Sequence, residues 1–123
     1  MAVVSIDPRD KTPIYAQLER GLRAAMATSR LRPGDQLPTV RQLAVELKIN
    51  ANTVARVYAD LERAGAIETR RGVGSFVAAN AEKARPPKEH EKRLRAFVTR
   101  VLSEAGSQGF SVEEVVEGLR EET

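Results

Sequence analysis

Two helix-start signals stand eleven residues apart near the middle of this chain, a spacing that dictates two short helices joined by a tight turn. The first is Thr39-Val40-Arg41-Gln42, a hydroxyl residue followed three positions later by glutamine, in which each side chain satisfies the other residue's backbone N–H. The second is Asn50, whose side chain can accept from the free N–H groups of a first helical turn. After the first signal Val40, Leu43, Ala44 and Leu47 recur at helical spacing; after the second, Val54, Val57, Tyr58 and Leu61 do so. Gly65 falls where a helix ends on a left-handed residue. The pair reads as a helix-turn-helix.

The flanks extend that motif. Upstream, Thr12-Pro13 reads as a side-chain cap followed by a proline at the first helical position, opening a helix with Tyr15, Leu18, Leu22, Ala25 and Met26 on one stripe. Gly21 weakens this helix, and Pro33-Gly34 marks a turn before the next. Downstream, Ile67-Glu68-Thr69 and Ser75-Phe76-Val77 alternate like short strands around the loop Arg70-Arg71-Gly72-Val73-Gly74. The expected fold is mainly α with a small β-hairpin, a winged helix-turn-helix over residues 12–78 within a first domain of residues 1–78.

Residues 79–88, with Ala84-Arg85-Pro86-Pro87, read as a linker. In the remainder, 89–123, Leu94, Phe97, Val98, Val101, Leu102 and Ala105 form an amphipathic stripe that ends at Ser107-Gln108-Gly109. Ser111 with Glu114 opens a last helix carrying Val112, Val115, Val116 and Leu119. Two helices of roughly thirty residues in all are too few to bury a core alone, so they pack on the first domain or on another copy of the chain.

Composition narrows the chemistry. The 123 residues include no cysteine, which removes disulfides, thiolate metal sites and cysteine nucleophiles together. The single His90 leaves no histidine cluster for a metal, and there is no phosphate loop or nucleophile elbow. No enzyme, cofactor or metal site is expected. Residues 1–13 have no apolar signal-peptide core, and no run approaches the roughly 18–20 apolar residues of a membrane span, so a cytoplasmic protein is expected. The net charge of +3 says little taken whole. Residues 1–78 hold twelve Lys+Arg against eight Asp+Glu, residues 83–100 seven against two, and residues 104–122 one against six. The basic middle stretch either adds phosphate contacts or faces the acidic last helix of a partner subunit.

On the helix after Asn50, residues Asn52, Arg56, Ala59 and Arg63 fall opposite the apolar stripe. Arginine can donate twice to guanine, asparagine can bond adenine bidentately, and alanine permits close approach in a major groove. The N-terminal residues of such a helix lie nearest the bases, which favours Ala51, Asn52, Thr53 and Arg56 over Arg63 and places the cap Asn50 beside them. A plain solvated helix face is the competing reading. Arg41 stands near a helix N-terminus suited to phosphate, and Thr39 is first a cap and only second a phosphate contact. Arg70 and Arg71 on a hairpin can reach phosphates or a narrow minor groove, with Gly72 first a backbone-geometry residue and only second a DNA neighbour.

The runs Pro33-Gly34-Asp35-Gln36-Leu37-Pro38-Thr39-Val40-Arg41-Gln42-Leu43-Ala44, Asn50-Ala51-Asn52-Thr53-Val54-Ala55-Arg56-Val57-Tyr58 and Gly65 to Val77 together resemble the GntR family of bacterial transcription regulators. The resemblance covers residues 12–78, and the short two-helix tail is similar to the YtrA-like subfamily. It implies a homodimeric repressor on an inverted-repeat double-stranded DNA operator. The implied contacts fall on Arg41, on Asn52, Thr53 and Arg56, and on Arg70, Arg71 and Gly72. The implied dimer surface falls on Leu94, Phe97, Val98, Val101, Leu102, Val112, Val115, Val116 and Leu119. Two positions depart from the pattern. Many members have glycine where Lys48 stands, so a left-handed backbone there would cost about 1 kcal/mol or more. Members often have proline at the Ala51 position. The alternatives are a winged-helix protein-interaction module or a small-ligand-binding protein without direct DNA readout; the sequence names no effector.

Overall fold

The computed structural model describes residues 3–79 and 87–122. These fall into two compact units, one on each side of the intervening segment. Positions 80–86 of the expected linker lie outside the described residues. The first unit contains α1 (Ile14–Ala27), α2 (Val40–Leu47), α3 (Ala51–Arg63), β1 (Ile67–Arg70) and β2 (Gly74–Val77); the second contains α4 (Pro87–Ser107) and α5 (Val112–Glu122). Five helices and one antiparallel hairpin among the described residues make the chain mainly α, as its patterning predicts.

The start of α1 differs from the expected cap. Pro13 itself is the N-cap residue, and Thr12 lies one position too far back for its hydroxyl to cap the helix. The Pro13 carbonyl accepts from the N–H groups of Ala16 and Gln17. Gln17 then turns back: its Nε2 donates to the carbonyls of Thr12 and Asp7 at 2.9 and 3.0 Å, and its Oε1 accepts from the Asp7 N–H at 2.8 Å. This clasp lays the N-terminal segment along α1, where Val4 is buried. A Cβ on Gly21 would collide with the Val4 side chain, so Gly21 serves a close approach rather than merely weakening the helix.

Helix α2 opens with the expected capping box. The Gln42 N–H donates to Thr39 Oγ1 at 3.1 Å and the Thr39 N–H donates to Gln42 Oε1 at 2.9 Å. Three helices end alike, each on a left-handed residue whose successor's N–H reaches back to a carbonyl in the last turn. In α2 these are Lys48 (φ 59°) and Ile49 to Ala44, at 3.0 Å. In α3 they are Gly65 and Ala66 to Leu61, at 2.9 Å; in α4, Gly109 and Phe110 to Ala105, at 2.8 Å. Lys48 thus adopts the left-handed conformation usually left to glycine.

The core of the first unit gathers Leu18 and Leu22 of α1, Leu43 of α2, and Val54, Val57 and Leu61 of α3, all fully buried. Tyr58 is buried among them. Its hydroxyl donates to the Pro38 carbonyl at 2.7 Å, and burial pushes its pKa up to about 12.

The hairpin strands are each one residue longer than their alternation implies. Arg70 and Gly74 pair across the ladder, leaving only residues 71–73 in the turn, so Arg70 is a strand residue and not part of the loop. The other edge of β2 is also occupied. The Gly34 N–H donates to the Val77 carbonyl, the Val77 N–H to Asp35 and the Leu37 N–H to Ser75, each at 2.8 Å. With the bridge between Gln36 and Phe76, the segment after the Pro-Gly turn braces the hairpin.

In the second unit α4 begins at Pro87, so Pro87 and Lys88 belong to a helix where the pattern predicts linker; proline suits a first helical position, where its missing N–H would have no partner. The Ser111–Glu114 box opens α5, with the Ser111 N–H on Glu114 Oε1 at 3.0 Å and the Glu114 N–H on Ser111 Oγ at 3.1 Å. Ala105 is buried, and Val101 and Val115 are half-buried. The rest of both stripes is open, Leu94 at 53%, Phe97 at 54% and Leu119 at 61% exposure, with Val98, Leu102, Val112 and Val116 also exposed.

Candidate nucleic-acid interface

Helix α3 buries Val54, Val57, Tyr58 and Leu61, and the 3.6-residue period then turns Asn52, Arg56, Ala59 and Arg63 outward, all exposed. Ala51, Ala55 and Ala59 are exposed too and keep the helix surface low. Arg63, toward the C-terminal end, is held in an ion pair by Asp60. Thr53 is half-buried. Asn50 is committed as the cap of α3, its Oδ1 accepting from the Asn52 N–H at 2.8 Å. Thr39 is likewise committed to capping α2, while Arg41 is exposed in that helix's first turn. Helix α2 packs on α3, so the first turns of both helices belong to one rigid block.

Two of the arginines are seated on aromatic rings. The Arg56 guanidinium lies over the Tyr15 ring at 4.4 Å from its centroid, and the Arg70 guanidinium over the Phe76 ring at 4.2 Å. The register explains the second: Arg70 opposes Gly74, which has no side chain, and Phe76 is the diagonal neighbour on the same face. Gly74 is itself fixed by φ +144° and by Gln36, whose Nε2 a Cβ would meet at 2.8 Å and which donates to the Val73 carbonyl at 3.2 Å. Arg71 and Gly72, in the turn, are exposed.

Sequence pattern alone misses Tyr15, Phe76 and Gln36 as supports. Tyr15 sits on the apolar stripe of α1 and reads there as core, yet it is 39% exposed. Once the hairpin register is known, the pairing of Arg70 with Phe76 is readable; from alternation alone, with Arg70 placed in the loop, it is not.

The electrostatics favour an anionic partner. Among the described residues the ion pairs are Arg23 with Glu19, Arg63 with Asp60 and Arg120 with Glu117, and none of them engages Arg41, Arg56, Arg70 or Arg71. No group of three or more His, Asp or Glu among the described residues is placed to hold a metal ion. No helix among them is long and apolar enough to cross a membrane.

A helix-turn-helix whose second helix turns amide and guanidinium groups outward, followed by a basic braced hairpin, defines a regulatory domain of the winged helix-turn-helix class. Residues 14–77 match the family of bacterial regulatory proteins called the gntR family, and the chain belongs to it, a member of the GntR transcriptional regulators. It is 37% identical over 108 residues to YhcF of Bacillus subtilis, an uncharacterized HTH-type transcriptional regulator, covering 88% of each chain. It is 44% identical over 80 residues to the HTH-type transcriptional repressor YtrA of the same organism, covering 65% of this chain and 62% of that one. Among solved structures it is similar to YtrA from Sulfolobus acidocaldarius, a GntR-family transcription factor, with a TM-score of 0.60 and 30% identity over 83% of this chain and 99% of that one.

Proposed function

We propose that the chain is a cytoplasmic, homodimeric transcriptional repressor that binds an inverted-repeat operator in double-stranded DNA. The observation that carries this reading is the outward face of α3, where Asn52 and Arg56, both in the N-terminal half of the helix, stand opposite its four buried residues. In this reading α3 enters the major groove, Asn52 and Arg56 address base edges, and Thr53 and the amide of Asn50 lie close to the backbone. Thr39 and Arg41 at the start of α2 hold phosphate, and Arg71 with Gly72 in the turn brings the wing to the adjoining groove. Arg70, seated over Phe76 at the end of β1, adds a second cation to the wing beside that turn.

Residues 1–78 then form the reading domain and 87–123 the pairing segment, with the linker ending at residue 86. The open stripe of Leu94, Phe97, Val98, Leu102, Val112, Val116 and Leu119, together with half-buried Val101 and Val115, is covered by the same surface of a second copy. Two reading helices separated by about 34 Å, one turn of duplex or a multiple of it, address the two half-sites.

Selection of bound duplexes from random sequence tests the whole reading. The expected product is an inverted repeat, and Arg56→Ala weakens binding to it by about 1–3 kcal/mol while relaxing preference at one base pair per half-site. A selected motif without two-fold symmetry overturns the dimer, and unchanged discrimination in Arg56→Ala overturns the assignment of that residue.

A further inference from the structure

We propose that Tyr15 is a positioning residue for base readout, its ring acting as the seat on which Arg56 is held ready for the groove. The proposal rests on the reading that Arg56 contacts a base. The first unit has three aromatic side chains, and they divide by role. Tyr58 is core, buried and bonded to Pro38. Tyr15 is not needed there: it lies outside the cluster of buried side chains and leaves 39% of its surface exposed. What occupies its ring is the Arg56 guanidinium, brought across by the packing of α1 on α3. Phe76 carries Arg70 in the same manner on the wing, so the arrangement is used twice in one domain.

An arginine on an open helix face samples many rotamers, and fixing one of them on binding opposes association. A ring beneath the guanidinium settles that choice in the free protein. Stacking engages the flat face of the guanidinium, whereas the N–H donors that grip guanine lie in its plane and stay available. Tyr15 touches no base in this scheme and acts only through Arg56. Its phenol hydroxyl plays no part, because the attraction comes from the face of the ring.

The test uses the full chain, a duplex selected from random sequence, and the same duplex changed one base pair at a time, read by fluorescence anisotropy. Four variants are compared: Tyr15→Phe, Tyr15→Leu, Arg56→Ala and the double variant Tyr15→Leu/Arg56→Ala. Tyr15→Phe retains affinity within about twofold, and Tyr15→Leu weakens the selected duplex by about three- to tenfold. That loss is confined to the base pair at which Arg56→Ala loses discrimination, and the double variant binds no more weakly than Arg56→Ala. In the free protein, the side-chain proton resonances of Arg56 show an upfield ring-current shift that persists in Tyr15→Phe and vanishes in Tyr15→Leu. Should leucine lower the melting temperature, Tyr15→Gln, which suits an exposed helical position, takes its place. A uniform loss across all duplexes, a loss additive with Arg56→Ala, tighter binding by the leucine variant, or no ring-current shift overturns the seat while leaving Arg56 as a reader. Unchanged discrimination in Arg56→Ala overturns both.

Discussion

The two units of this chain are written with the same local grammar and reach opposite ends. Each opens a helix with a capping box of the same geometry, the hydroxyl of Thr39 or Ser111 accepting at 3.1 Å. Each ends a helix on a left-handed residue with a backward N–H bond. Yet the first unit closes a core of six fully buried side chains, whereas in the second only Ala105 is buried among the described residues. Local signals set where a helix starts and stops. Closure depends on how many apolar faces meet, and in the first unit three helices, a hairpin and the N-terminal segment converge, while in the second only two stripes are available.

That contrast can be pushed until it breaks. The largest effect is expected from Phe97→Asp, which places a charge on the open stripe. Light scattering should report monomers, and operator affinity should fall by about 100-fold or more as the second half-site is lost, with melting of the first unit unchanged. A variant that still dimerises would show that the stripe is not the joint. Next, Leu61→Ala should cost about 2–5 kcal/mol in urea unfolding, whereas Leu119→Ala, on the open face, should change the monomer's stability by less than about 0.5 kcal/mol. Equal losses would erase the distinction between the two units.

A pH scan sharpens the comparison further. Tyr58 has its pKa raised by burial from 10.0 to about 12. The stability it contributes is complete below pH 10 and erodes as pH rises toward 12, because the unfolded chain releases the phenol proton first. Tyr58→Phe should lose the Pro38 bond yet decline less steeply across that window; an identical alkaline decline would place its cause elsewhere. Smallest is the paired cap test, in which Thr39→Ala costs about 1 kcal/mol of the first unit's stability. Ser111→Ala should leave that melt untouched and instead fray α5, seen as lost hydrogen-exchange protection at Val115. Acid should imitate it. The Ser111 N–H and hydroxyl hold the Glu114 carboxyl below its ordinary 4.5, so the cap is intact above that value and goes as pH falls through the lowered one.

Much of the fold was legible because its determinants are local. The capping residues, the apolar stripes of α2, α3 and α4, and Gly65 each act within a few positions of themselves. The errors share a cause. Thr12 looks like a cap because threonine before proline is one elsewhere, but the clasp of Gln17 on Asp7 draws the chain start along α1 and leaves Pro13 at the boundary. Arg70 looks like loop because alternation fades there, whereas the segment at Gln36 braces β2 from its far edge and extends the ladder. At the interface, the outward positions of Asn52 and Arg56 follow from helical period alone. The partnership of Arg56 with Tyr15 does not, since it joins two helices about forty positions apart.

Gly21 and Val4 offer a closing consequence. The backbone of α1 at Gly21 admits Val4 so closely that neither position is free to vary by itself. Alanine at 21, which would strengthen an isolated helix, is penalised by a valine seventeen residues earlier, and a smaller residue at 4 would lift the veto. Substitutions at these two sites should therefore be tolerated as a pair more readily than singly. Descendants of this sequence that lose the glycine are expected to shed the valine with it.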